Sequence, residues 1–242
     1  MTIKAATNTY RTTARVVGVV YLAGFVVGIV GLGLIQSVLG APDYLATVSA
    51  NSMLLAFGAI LWLLAVVGDA AHGVLMFPIL KPHHERIAVG YLAFRIMDAV
   101  FIAIMVLFVL LQIPLGSAYV QAAVADASYL QALSTVFAQP QLYAYEIGMS
   151  TLGISGLMLC STLYRAQLVP RWLAIWGLLG NATILVGMVS AIMGSSLGDL
   201  FSLPGGLWEV FVGLWLIVKG FNASAFVPQA TRISTLAEPR VA

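Results

Sequence analysis

Residues 53–115 read MLLAFGAILWLLAVVGDAAHGVLMFPILKPHHERIAVGYLAFRIMDAVFIAIMVLFVLLQIPL. Two apolar runs, Met53–Leu80 and Ile87–Leu115, flank the short polar segment Lys81–Arg86. Each run exceeds the ~20 apolar residues a helix needs to cross the hydrocarbon core of a bilayer. The polar segment between them leaves room only for a tight reversal, so the stretch reads as a transmembrane helical hairpin. Its interruptions are patterned. Asp69 and His72 lie three apart in the first run, and Arg95 and Asp98 lie three apart in the second. That spacing sets each pair on one helix face.

Working outward, the same length test finds four further spans: Ala14–Leu39, Leu142–Tyr164, Trp172–Met193 and Leu203–Phe221. The last opens on Pro204, a favoured first-turn residue. Composition agrees. Of 242 residues 61% are hydrophobic and 8% charged, against roughly 25% charged in a soluble domain. A soluble enzyme, a nucleic-acid binder and a disordered chain are excluded. The single cysteine, Cys160, precludes an intrachain disulfide. With only His72 of the three histidines inside an apolar run, neither a bis-histidine haem nor a Cys/His metal centre is expected, and no cofactor is implied. The first apolar run is too long for the ~7–15-residue core of a signal peptide and reads as a retained span.

The charges orient the bundle. Lys4, Arg11 and Arg15 precede span one, Lys81 and Arg86 join spans two and three, and Arg165 and Arg171 join spans four and five. Lys219, Arg232 and Arg240 lie at or beyond the end of span six, and the other three loops carry only Asp43, Asp126 and Asp199. The positive-inside rule then predicts both termini and the two short loops in the cytoplasm. The expected fold is all-α: a single polytopic domain over residues 1–242, six transmembrane helices, N-in and C-in, with a flexible cytoplasmic tail over residues 223–242. Within Gly116–Gln141, the apolar residues Tyr129, Leu130, Leu133, Val136 and Phe137 recur at helical spacing. They predict an amphipathic helix in the outer loop between spans three and four, as a cap on the bundle or a lid. A shorter helical turn is expected in Ala41–Asn51. Gly24 and Gly28, four apart in span one, have the spacing that allows close helix approach, and with it a homodimer face.

Five charged residues fall inside the spans: Asp69, Arg95, Asp98, Glu146 and Glu209. Each costs ~2.5–3.5 kcal/mol at a helix centre, so such residues face a protein interior or a cavity. Counting from the flanking bases gives their depth. Asp69 lies 12 residues before Lys81 and Asp98 lies 12 after Arg86, ~18 Å from the inner edge. His72 and Arg95 lie at ~13–14 Å, and Glu209 and Asn181 at ~15 Å. Four spans thus contribute to one polar layer. Arg95 can pair with one carboxylate and bridge a second, so the count predicts that at least one of Asp69, Asp98 and Glu209 holds a proton. Glu146, flanked by Tyr143 and Tyr145, falls at ~28 Å. These three are either an outer-interface group in contact with water or the mouth of an outward-facing cavity.

Several weak motifs then occur in order. They are Phe94-Arg95 in span three, QLYAYEIG at Gln141–Gly148, Leu168-Val-Pro-Arg171, and Glu209 followed by LWLIVKG at Leu214–Gly220. Together they resemble the bacterial domain of unknown function family 4386, over about Arg11 to Gly220. The resemblance implies a bacterial multi-pass protein of the inner (plasma) membrane and supplies no activity. It also supports treating Arg95 and Glu209 as a pair, while the residues leave open which carboxylate Arg95 meets. Asp69-x-x-His72 does not come from it and rests on depth alone.

No zinc-protease motif and no nucleophile elbow is present, so no catalytic residue is nominated. The ligand or proton-relay candidates are Asp69, His72, Arg95, Asp98, Glu209 and Asn181. The favoured reading is a membrane protein that binds or transports a small molecule, largely apolar or cationic, or a lipid, beside this layer. Two others stay open: a scaffold whose polar layer only fixes helix packing, and an intramembrane enzyme acting on a lipid-like substrate. The expected partners are the lipid bilayer, such a ligand and a second copy of the chain.

Overall fold

The computed structural model describes residues 3–226. Seven α-helices follow one another: α1 (Ile3–Leu39), α2 (Tyr44–Ala50), α3 (Ser52–Leu80), α4 (Glu85–Gln121), α5 (Val124–Arg165), α6 (Arg171–Ile192) and α7 (Gly198–Val218). All but the short α2 are long and apolar enough to cross a membrane. Large apolar side chains such as Val26, Ile60, Val67, Val100, Leu107, Leu179 and Val186 are exposed around the bundle. A soluble protein could not carry so wide an apolar surface, but lipid solvates it.

The six long helices alternate in direction. Arg11, Arg15, Lys81, Arg86, Arg165, Arg171 and Lys219 therefore gather at one end, here the basic end, while Asp43 and the α4–α5 turn mark the far end. The basic end is stitched by the chain after α7. Asn222 N–H donates to the Leu168 carbonyl at 2.8 Å, and residues Ala223–Phe226 form a 3-10 turn whose Phe226 ring stacks on Tyr10. Burial pushes the His83 imidazole below its ordinary value, so a neutral ring packs against Phe226. The rest of the expected tail, from residue 227, lies outside the described residues.

The far end departs from expectation. The helix predicted as a separate element between spans three and four is the first part of α5, and α4 runs on to Gln121, leaving Ala122 and Ala123 as the connection. At 1.5 Å per residue the 42-residue α5 is about 63 Å long, twice the ~30 Å hydrocarbon core. Hydropathy locates where a helix leaves the bilayer and not where it ends. Nothing between Val124 and Gln139 breaks a helix, and Pro140 is carried inside α5, as neighbouring helices permit.

The expected turn in Ala41–Asn51 is α2, which packs on α4. A Cβ on Gly116 would lie 2.8 Å from the Leu45 carbonyl, so only glycine admits this approach. A buried polar chain adds to the contact: Tyr44 O–H donates to Ser134 Oγ at 2.8 Å, and Ser134 O–H donates to Gln112 Oε1. Tyr44→Phe is expected to cost about 1 kcal/mol locally and to speed amide hydrogen exchange in α2 about fivefold, with α6 and α7 unchanged.

Helix contacts elsewhere are glycine-mediated, as in membrane bundles. Gly31 meets Gly58 between α1 and α3, Gly180 meets Gly205 between α6 and α7, and Gly18 meets Gly213 between α1 and α7. The packed interior falls into two clusters. One, around Tyr21, Met76, Tyr91, Leu173 and Trp208, occupies the basic half. The other, around Ile35, Leu55, Ile102 and Val109, occupies the far half.

Candidate functional site

Between the two packed clusters lies a cavity of about 390 Å³, walled by α1, α3, α4, α5, α6 and α7. Most of its wall is apolar: Val20, Phe25, Ile29, Leu32, Ile102, Met149, Leu152, Ile184, Leu203 and Leu207. Its polar members are concentrated in Asp69, His72, Arg95, Asp98 and Glu209, five of the six residues nominated from the sequence as one layer. They meet because the count from Lys81, Arg86 and Lys219 sets their height, and because the i, i+3 pairs turn inward on the facing helices α3 and α4.

Within the group the ion pairing is selective. Arg95 Nη1 lies 3.2 Å from Asp69 Oδ1 and 3.6 Å from Asp98 Oδ2. The Arg95 and Asp98 side chains are 3% and 2% exposed, whereas Asp69 is 33% exposed. The accessible part of Asp69 is cavity wall. Neither Asp98 oxygen has a hydrogen-bond partner among the described residues, so the carboxylate depends on the guanidinium's charge. Glu209 is different. Among the described residues no basic side chain comes within 4.0 Å of its carboxylate. The sequence leaves open which acid pairs with Arg95; here Arg95 lies with Asp69 and Asp98. The two aspartates hold Arg95 first because they sit on its own helix face and on the adjacent helix, while Glu209 reaches in from α7.

His72 is fully buried, and its Nδ1 shares a hydrogen bond with the Tyr91 hydroxyl. Its ring packs tilted on Tyr21 with centroids 4.1 Å apart. Nε2 has no partner among the described residues. Beneath His72, toward the basic end, Tyr21, Met76, Trp208 and Leu216 close the interior to a void of about 10 Å³. Trp208 is fixed there by its N–H, which donates to the Leu173 carbonyl at 2.7 Å.

Asn181 is at the right depth but not on the cavity wall. Its amide N–H donates to the Gly177 carbonyl at 2.8 Å, and its carboxamide fills the space beside Gly156 on α5. It touches only a small satellite void shared with Tyr91, Arg95 and Glu209. The three mouth candidates separate as well. Tyr145 lines the far part of the cavity and packs edge-on against Trp62, whereas Tyr143 is 48% exposed on the outside of the bundle and Glu146 is not on the wall. Adjacent helical positions diverge by ~100°, so these neighbours could not all face one cavity.

Three further residues shape the site. Tyr91 holds His72 and shares a small void with Arg95. It lies four residues before Arg95, a same-face spacing that was available as a signal. Tyr21 and Trp62 gave no such signal, since an aromatic residue in a membrane span is most often packing. Gly24 and Gly28 have no partner helix within the chain. A Cβ at either would meet nothing within 4 Å. They are cavity wall within the chain and mediate no close approach there. Among the described residues no group of three His, Cys, Asp or Glu side chains converges as a metal site.

No curated protein and no solved structure matches the chain. The sequence model of one family, described as Domain of unknown function (DUF4386), matches residues 16–220, and the protein belongs to that family.

Proposed function

We propose that the protein binds a small apolar cation in the cavity, with the Glu209 carboxylate and the free face of Asp69 as its counter-charges. One observation carries this reading: among the described residues the guanidinium in the site is taken by Asp69 and Asp98, while Glu209 has no basic side chain within ion-pair distance on a wall that is mostly apolar. A carboxylate so placed is costly in the membrane unless a ligand or proton meets it. The volume, about 390 Å³, falls at the lower end of the ~300–1,000 Å³ typical of small-molecule sites.

The buried Arg95–Asp98 pair fits the scaffold reading instead, so the two readings divide the layer. Arg95 ties α4 to α3 through Asp69 and neutralises the buried Asp98 on its own helix, and Glu209 and the open face of Asp69 meet the ligand. The reading takes the basic end as cytoplasmic in a bacterial inner membrane, by the positive-inside rule. The cavity then runs from mid-membrane toward the outer side and is closed toward the cytoplasm. Closure on one side is the property of one state of an alternating-access transporter, which favours transport over passive binding.

The test is calorimetric titration of tetrapropylammonium into the full chain in lipid nanodiscs, with empty nanodiscs subtracted. Saturable binding is expected. Glu209→Gln is expected to weaken it ten- to a hundredfold, the scale of a charge-assisted contact of ~1.5–3 kcal/mol. Asp126→Asn, at the far end, should leave it unchanged. Absence of saturable binding, or equal affinity in Glu209→Gln, overturns the reading.

A further inference from the structure

The cavity is not enclosed on all sides, and its opening has a definite place. Helices α1 and α7 touch at Gly18 and Gly213, where a Cβ on Gly18 would collide with the Gly213 backbone. Toward the far end they part. Gly24 and Gly28 have no neighbour within 4 Å of a Cβ, and Gly206 has only the Phe25 ring at 3.6 Å. Ile29 on α1 and Leu203 and Leu207 on α7 belong to the cavity wall, yet are 56%, 58% and 61% exposed. The same side chains therefore border both the cavity and the apolar outer surface of the bundle. The opening is a lateral cleft toward the bilayer.

Chemistry along the cleft is graded. Its deep end holds Glu209 and Asp69, together with His72, which is fully buried and keeps Nε2 without a partner among the described residues. From there to the surface the α1 and α7 walls are glycine and aliphatic or aromatic side chains, apart from Ser202. A compact hydrophilic cation would leave the outer cleft unfilled, and a two-chain lipid exceeds a cavity at the low end of the ligand range.

We infer that the cleft between the far halves of α1 and α7 holds the single alkyl chain of a cationic amphiphile, whose head sits at Glu209 and whose tail emerges into the bilayer. This rests on the cation-binding reading above and adds the ligand class and its lie. Charge complementarity selects the head, and the continuous apolar wall selects the tail. Gly24 and Gly28 keep the cleft wide, because any larger side chain there would project into it.

Two ligands separate the inference from the reading beneath it: dodecyltrimethylammonium, with a long chain, and tetrapropylammonium, without one. Two substitutions fill the outer cleft away from Glu209, Gly28→Leu and Leu203→Trp. Neither meets packed neighbours, since Gly28 faces open space and Leu203 is largely exposed. Each is expected to weaken dodecyltrimethylammonium binding in nanodiscs at least tenfold more than it weakens tetrapropylammonium binding. As a second measurement, a dodecyl chain brominated at its midpoint should quench tryptophan fluorescence, with the quenching reduced in Trp62→Phe because Trp62 lines the cavity. Unchanged long-chain affinity in both variants overturns the inference while leaving the Glu209 result standing. An equal loss of both ligands also overturns it, since the substitutions would then have closed the cavity itself. Failure of Glu209→Gln to affect either ligand removes the underlying reading instead.

Discussion

Arg95→Ala is expected to destabilise the fold by about 3–5 kcal/mol, the cost of leaving a buried charge without its partner. Asp98 is the residue that suffers. Its side chain is 2% exposed, its contact with Arg95 Nη1 is 3.6 Å, and neither of its oxygens has another partner among the described residues. Asp69 loses its partner too, but its open face can draw on whatever fills the cavity. The guanidinium stem also packs against Gly73, where a Cβ would lie 3.1 Å from Arg95 Cβ, so some packing is lost with the charge. The single cysteine gives a direct readout. Cys160 is fully buried, so its rate of reaction with a thiol-reactive dye in detergent, followed against temperature, reports opening of the bundle. Arg95→Ala should label at markedly lower temperature than the wild type.

The compensating variants decide which carboxylate the arginine serves. Arg95→Ala with Asp98→Asn should recover most of the lost stability, because an uncharged pair in an apolar interior carries a much smaller penalty. Arg95→Ala with Glu209→Gln should recover little, as Glu209 lies outside ion-pair distance. The reverse order of rescue would show that the pairing is Arg95–Glu209 and would dissolve the division of the layer into a structural and a ligand-facing half.

The pairing shows what a sequence of this kind carries and what it leaves open. Spans are legible because bilayer thickness imposes one length on every crossing helix, and the hairpin from Met53 to Leu115 displays it without ambiguity. Height is legible because each span is flanked by a base that marks the membrane edge. Counting from Lys81, Arg86 and Lys219 brings Asp69, Arg95, Asp98 and Glu209 to one level, and they share one cavity. Azimuth is not legible. The apolar faces of these helices meet lipid as readily as protein, so hydrophobic periodicity does not mark the inward side. Asn181 and Glu209 have equal heights, yet Asn181 is turned into the α5–α6 seam and Glu209 into the cavity. Gly24 and Gly28 have the spacing of a helix contact and border open space within the chain. A glycine pair reports that something lies close or that space is kept free, and only the neighbouring helix decides which.

Gly156→Ala separates these two meanings, and its effect is expected to be the largest of any single methyl group. The added Cβ would overlap the Asn181 carboxamide. Asn181 cannot swing aside cheaply, because its amide holds the Gly177 carbonyl at 2.8 Å and Gly177 in turn admits Trp208 and Cys160. Overpacking costs ~1–3 kcal/mol, and a displaced buried amide adds ~1–3 kcal/mol. A loss of about 3 kcal/mol is therefore expected, read by circular dichroism during titration with a denaturing detergent. Asn181→Ala alone should cost only ~1 kcal/mol, the net worth of an ordinary hydrogen bond, and it vacates the space the methyl group needs. The double variant should then be more stable than Gly156→Ala, with a coupling of at least ~1.5 kcal/mol. Simple additivity would mean that Asn181 does not fill this seam. Cation binding supplies the functional half of the test. A seam residue changed to alanine leaves tetrapropylammonium affinity intact wherever the fold survives, whereas a ligand-facing residue lowers it at unchanged stability. The first outcome makes α5 and α6 a rigid wall of the cavity and leaves α1 and α7, which part toward the far end beyond Gly18 and Gly213, as the side able to open.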